Sequence, residues 1–143
     1  MPDFEAYVRL FTEIWSDPDP ERFPELLHSD ATLLHPGMKE PLPSSQVIDY
    51  AAGVKAAAPG LRLVPRGWAS RGDTLYVDWT MSCLLGGERV EWDGVDKFSM
   101  RGDRATNITA YFDTHPLWVR LDPSMERSSM IEEAARQSST TRA

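Results

Sequence analysis

Cysteine is almost absent from this chain of 143 residues: Cys83 stands alone, so no internal disulfide can form. It shares an alternating face with Leu75, Val77, Trp79 and Met81, which suits a buried apolar filler better than a thiol nucleophile. Histidine is scarce as well, and His28, His35 and His115 show no spacing of the His-x-x-x-His kind, so no metal is expected. Basic residues are outnumbered, 15 Lys and Arg against 22 Asp and Glu. The resulting charge of -7 and pI near 4.9 argue against nucleic acid or an anionic membrane as the main partner. No apolar run approaches the ~20 residues a membrane span needs. The opening Met-Pro-Asp-Phe-Glu has neither a basic nor an apolar leader pattern, so a cytoplasmic location is expected. Internal repeats are missing too, beyond two turns that both spell Arg-Gly-Asp at 71–73 and 101–103. Gly-Asp is what a tight hairpin turn calls for, and that reading is preferred to an adhesion motif.

What is present is an ordinary globular composition, 41% hydrophobic and 26% charged, of a length suited to one domain with a real core. The domain is expected over 1–122. A polar tail follows over 123–143, disordered from Gln137 onward because it has too few apolar residues to offset ordering. Phe4, Tyr7, Val8, Phe11, Ile14 and Trp15 recur at the spacing of one helical face, and Asp17-Pro18-Asp19-Pro20 ends that helix. A short second helix is predicted from Pro20 or Glu21 through Leu27, closed by Ser29-Asp30, then a strand over Ala31 to His35 before Pro36-Gly37. A third helix starts near Ser44 or Ser45, carries Val47, Ile48, Tyr50, Ala51 and Val54, and stops at Pro59-Gly60.

From Gly60 on, turn signals at Gly72-Asp73, Gly86-Gly87 and Gly102-Asp103 separate long stretches rich in Val, Leu, Trp, Tyr and Thr. Four strands in hairpin succession are predicted, long enough to twist and curl, so the fold class is α+β with three helices of the N-terminal half on a bent antiparallel sheet. Counting by twos from Val90 puts Val90, Trp92, Gly94, Asp96, Phe98 and Met100 on one face. That face is apolar apart from Asp96. A carboxylate in such company is protonated, paired or lining a pocket, because an unpaired buried charge costs too much to keep. Asp96 points to a small-molecule site for that reason, and Arg62 or Arg66 are the partners available if it is only a structural bridge.

The run Leu26-Leu27-His28-Ser29-Asp30-Ala31-Thr32-Leu33-Leu34-His35-Pro36, the strand Gly94 to Met100, the Gly-Asp turn and the closing Ala110-Tyr111-Phe112-Asp113 resemble, in that order, the SnoaL-like branch of the NTF2-like superfamily. That superfamily also holds ketosteroid isomerase, scytalone dehydratase and limonene-type epoxide hydrolase, and the resemblance covers about Tyr7 to Leu117. It implies a cone-shaped, curved sheet enclosing a hydrophobic pocket at its open end, commonly in a homodimer. It implies the chemistry less firmly, since the fold serves isomerases, dehydratases, cyclases, hydrolases and binders.

The resemblance puts His35 before Pro36 where ketosteroid isomerase has its general-base aspartate, and Asp96 where that enzyme keeps a protonated aspartic acid as oxyanion donor. The oxyanion tyrosine has no counterpart: Leu10 stands there, with Tyr7 most of a turn away. Asp113 resembles the acid/base aspartate of SnoaL-type polyketide cyclases and one carboxylate of the epoxide hydrolases. In those hydrolases an arginine stands two residues before the third-strand aspartate; here it is Gly94, so epoxide hydrolysis ranks below proton transfer. The expected site therefore has His35 as base, Asp96 as acid or hydrogen-bond donor, and Asp113 as a second acid/base or an orienter of His35. Tyr50, Trp68, Trp79, Trp92, Phe98 and Met38 are the expected substrate-binding residues. The function expected is a cofactor-independent cyclase, isomerase or dehydratase acting on a polyketide- or steroid-like molecule. A non-catalytic binding or dimerisation module is the reading from another class.

Overall fold

In the computed structural model, residues 2–117 and Gln137 are described. Helix α1 spans Phe4–Trp15; Asp3 caps it by accepting the Ala6 N–H at 3.0 Å, and Tyr7, Val8, Phe11, Ile14 and Trp15 are its buried stripe. Pro20–Leu26 form a 3-10 helix rather than an α-helix, with Asp19 as N-cap and Pro24 inside it. Proline cannot donate to a helical ladder, and a short 3-10 segment tolerates it. Strand β1 begins immediately, at Leu27, and runs to Leu34, earlier than the Ser29-Asp30 pair suggested. Its pairing with the last strand shifts register between Leu27 and Thr32, so this polar stretch is an irregular piece of strand, not a helix end. A two-residue edge strand, β2 (Leu42–Pro43), and a 3-10 turn at Ser44–Gln46 lead into α2 (Val47–Ala57).

The second half is the predicted hairpin succession: β3 (Arg62–Arg71), β4 (Thr74–Leu85), β5 (Glu88–Arg101) and β6 (Arg104–Phe112). Gly72 and Gly102, at φ 59° and 67°, take the left-handed conformation that the two Arg-Gly-Asp turns require. The sheet order is β2-β1-β6-β5-β4-β3, antiparallel except for the parallel β1–β6 pair, and the sheet is curved but not closed. On β5 burial alternates as the period of two requires: Val90, Trp92, Asp96, Phe98 and Met100 are buried, and Glu91 and Asp93 are exposed. Phe98 is sealed beneath α1, edge-to-face with Tyr7 and Phe11 at 5.1 Å each. Helix α1 thus covers one end of the curved sheet, and among the described residues the other end, toward α2 and the end of β6, is left open. No helix among the described residues is long and apolar enough to cross a membrane. The domain boundary expected at 122 and the expected disorder of the tail lie outside the described residues, save for Gln137.

Candidate active site

The open end holds a cavity of about 280 Å³. Its walls are α1 (Phe11, Trp15), α2 (Tyr50, Val54), β4 (Trp79, Met81, Cys83), β5 (Trp92, Asp96), β6 (Phe112) and His35 at the end of β1. Almost all of this lining is carbon, and among the described residues no lysine or arginine contributes to it. Asp96 and His35 therefore stand, with Tyr50 and Cys83, as the titratable groups of an apolar space.

Asp96 is 3% exposed, and its Oδ1 accepts the Trp79 indole N–H at 3.0 Å. Burial pushes its carboxyl up from 3.8 to about 7, with the Trp79 hydrogen bond pulling the other way. Arg66 does not reach it, pairing instead with exposed Asp93 at 3.4 Å. His35 is 9% exposed and packs beside Trp15, Tyr50 and Phe112. Burial drives its imidazole down from 6.5 to about 4, so it is neutral across the physiological range. Its Nδ1 lies 2.7 Å from the Tyr50 hydroxyl, and burial, with Asp96 nearby, pushes that phenol up to about 12.

Trp79 reaches Asp96 because Gly94 lets it. Trp79 and Gly94 are cross-strand partners, as are Gly94 and Phe112. A Cβ at position 94 would fall 2.5 Å from Trp79 Cη2 and 2.7 Å from Phe112 Cβ. The indole occupies the space in which an arginine at 94 would have had to stand. Gly94 carried no signal of this in sequence beyond its lack of a side chain.

Not every residue read from the sequence lines the cavity. Asp113 lies past the end of β6, exposed, where its Oδ1 accepts the His115 N–H at 2.9 Å as the chain turns. It caps the following turn and does not stand beside Asp96. Trp68 faces the helices from the outer strand β3, but it packs against Phe4 at 6.1 Å and is 44% exposed. Phe98 is beneath the cavity in the core under α1 rather than in its lining. Met38 lies on the outer side of His35, its Sδ 3.4 Å from the His35 N–H, over a shallow recess bounded by Leu34 and Tyr111. Tyr7 donates its hydroxyl to the Leu26 carbonyl at 2.9 Å, so it does not stand in for an oxyanion tyrosine. Phe11, Trp15, Met81 and Phe112 were not read as pocket residues, although Phe11 and Trp15 belong to the apolar stripe of α1. Among the described residues no three His, Cys, Asp or Glu side chains converge on a metal position.

Residues 8–108 match the family model of the SnoaL-like domain. The chain belongs to the SnoaL-like family. No curated protein matches it by sequence. Among solved structures it is similar to AclR, a proposed hydroxylase from Streptomyces galilaeus, at 16% identity over 96% of this chain and 92% of that one, with a TM-score of 0.75. A proposed SnoaL-like polyketide cyclase from Jannaschia sp. CCS1 matches at 19% identity over 82% and 89%, TM-score 0.71. TerC, co-crystallised with polyporic acid, matches at 25% identity over 85% and 97%, TM-score 0.68. SnoaL-like members at such low identity share the fold, and the chemistry of this one has to be read from its own cavity.

Proposed function

We propose that this SnoaL-like protein is a cofactor-independent acid/base enzyme that isomerises, cyclises or dehydrates a hydrophobic, oxygenated polycycle of polyketide or steroid type. The observation that carries it is the pairing of a carboxyl displaced to about 7 with a neutral imidazole in one apolar cavity. A group that titrates near working pH both gives and takes a proton efficiently, and Asp96 is that group. The order of the two matters. A proton passed from Asp96 to His35 moves downhill in basicity by roughly three pH units, a cost of about 4 kcal/mol. Asp96 is therefore the proton-transfer residue, whereas the sequence reading makes His35 the base and Asp96 the acid or hydrogen-bond donor. Trp79 fixes one of its oxygens and leaves the other to act on substrate. His35, oriented by Tyr50, serves as a hydrogen-bond partner to the oxygen that gains charge. Asp113 has no part in the step, since it is exposed and engaged as a cap. With neither a second carboxylate nor a bridging arginine among the described residues of the lining, the geometry does not favour epoxide hydrolysis.

Deuterium wash-in from D2O into a polycyclic ketone tests this. Asp96→Asn should slow exchange by about 10²-fold or more, and Asp113→Ala should leave it unchanged. Exchange that survives in Asp96→Asn, or ordinary titration of both Asp96 and His35 by NMR, would favour the binding-module reading instead.

The same reading includes a homodimer formed through the outer face of the sheet. Val64, Tyr76 and Tyr111 are 53%, 42% and 59% exposed there, and cross-strand pairing puts Thr80 beside Val64 and Val95 beside Tyr111. Light scattering at about the 16.1 kDa monomer mass would remove that part.

A further inference from the structure

A folded chain leaves few buried polar groups without a partner, since each costs free energy that nothing returns. Among the described residues two buried side-chain polar atoms are so placed, Nε2 of His35 and Nε1 of Trp92. Both rings stand in the wall of the same cavity. One orphan could be an accident of packing, but two on a single apolar cavity are what a site looks like when the missing partners arrive with the ligand. The indole N–H is a donor and nothing else, so what meets Trp92 must be an acceptor oxygen. Tyr50 keeps its phenolic proton, and among the described residues the one hydrogen bond of its hydroxyl is to Nδ1 of neutral His35. Donation by Tyr50 leaves Nε2 of His35 carrying hydrogen, a second donor.

The two orphan atoms belong to different rings, which flank Phe112 at 6.3 Å (His35) and 6.4 Å (Trp92) between ring centres. Trp92 and Asp96 share one face of β5 four residues apart, which at strand rise puts their Cα atoms roughly 13 Å from each other. We infer that Trp92 is a specificity-determining residue whose indole N–H takes an oxygen of the ligand distinct from the one at His35 and Asp96. The ligand is then an uncharged polycycle with at least two separate oxygen functions, one for Trp92 and one for His35 and Asp96. This rests on the small-molecule reading of the cavity and adds to it the second point of recognition. Among the described residues no lysine or arginine lines the cavity, and this favours an uncharged ligand: an anion would lose its hydration against that wall with no cation in exchange.

Two probes of similar outline separate recognition from fit: 2,6-dihydroxyanthraquinone, which carries oxygens along its length, and anthracene, which carries none. Their dissociation constants are measured at pH 6 by fluorescence quenching in the wild type and in Trp92→Phe. Comparing the two probes within each protein cancels the change in shape that the substitution brings. The wild-type preference for the oxygenated probe should shrink by about tenfold in the variant, the worth of one good hydrogen bond. An equal preference in both proteins overturns the inference while leaving the cavity as a ligand site. If neither probe binds the wild type, the small-molecule reading falls with it. Should Trp92→Phe not fold, the Trp92 indole N–H resonance of the ¹⁵N-labelled wild type decides: it moves downfield with the anthraquinone and not with anthracene, or the inference is wrong.

Discussion

Asp96→Asn should make this protein more stable at pH 8 while changing little at pH 4, an unusual expectation for a change at a proposed catalytic group. Asp96 holds its proton up to about pH 7 in the fold, against 3.8 ordinarily. Between those limits the unfolded chain has lost a proton that the folded chain keeps, so stability falls as pH rises through the window. Over roughly three pH units at ~1.4 kcal/mol each, the loss is about 4 kcal/mol. His35 works in the opposite sense. Its imidazole stays neutral in the fold down to about 4, against 6.5 ordinarily, so its contribution is complete above 6.5 and is lost as pH falls toward 4, about 3 kcal/mol in all. In the wild type these two slopes overlap and largely offset each other from about pH 4 to 6.5. Each substitution should unmask the other group. The amide introduced by Asp96→Asn cannot ionise but still offers an oxygen to Trp79, so stability of that variant should climb with pH from 4 to 6.5. His35→Gln should show the reverse, a decline from pH 4 to 7. Urea unfolding at unit pH steps and constant ionic strength measures all three curves. Exposed Asp30, whose carboxyl Arg101 holds low, is common to all of them and cancels in the differences. A difference between Asp96→Asn and wild type that stays flat from pH 4 to 8 would falsify the burial argument, because Asp96 would then titrate alike in the folded and unfolded chain.

Three further outcomes follow from the geometry of the same site. Gly94→Ala should destabilise the fold by about 1–3 kcal/mol, as overpacking does, since its Cβ would fall 2.5 Å from Trp79; thermal unfolding near the wild-type midpoint would show that the indole has room to retreat. Trp79→Phe removes the N–H that steadies the Asp96 carboxylate, so the Asp96 titration followed by ¹³C NMR should move further above 7, and an unmoved titration would mean that the hydrogen bond is not formed in solution. Asp113→Ala should lower stability by about 0.5–2 kcal/mol through the lost cap without touching deuterium exchange into a ketone, and a loss of exchange would return Asp113 to the site.

Much of the arrangement was legible because it depends on periodicity. The alternation on β5 is written in Val90, Trp92, Phe98 and Met100, and a lone carboxylate in that series can only face where they face. The helical stripe of α1 and the Gly-Asp turns are local in the same way. Asp113 shows where local reading stops. Its place at the end of the last strand resembles that of an acid/base aspartate, yet whether it turns inward or caps the next turn depends on a two-residue hydrogen bond to His115 that no pattern announces. Trp68 departs from its expected place for a related reason: it stands on the expected face, paired with Val77, but its height along the sheet puts it against Phe4, away from the open end.

The ranking of His35 and Asp96 lay furthest from the sequence. Ordinary values make histidine the better base by nearly three pH units, and that is the order a sequence suggests. Burial acts on the two groups in opposite directions, because it always penalises the charged form: it raises the acid whose charged form is the anion and lowers the base whose charged form is the cation. In a cavity lined by Phe11, Trp15, Trp79, Trp92 and Phe112 both displacements are large enough to invert the order. The aromatic lining is thus more than a shape for the ligand. By burying both groups in apolar surroundings it supports, under the proposed function, a carboxylic acid that exchanges a proton near neutrality and a histidine that acts as an uncharged donor, and a polar substitution in that wall, such as Phe112→Asn, should relax both values toward the ordinary ones together. NMR titration of Asp96 and His35 in that variant reads the two at once; movement of only one of them would show that its displacement comes from a private contact and not from the shared dryness of the cavity.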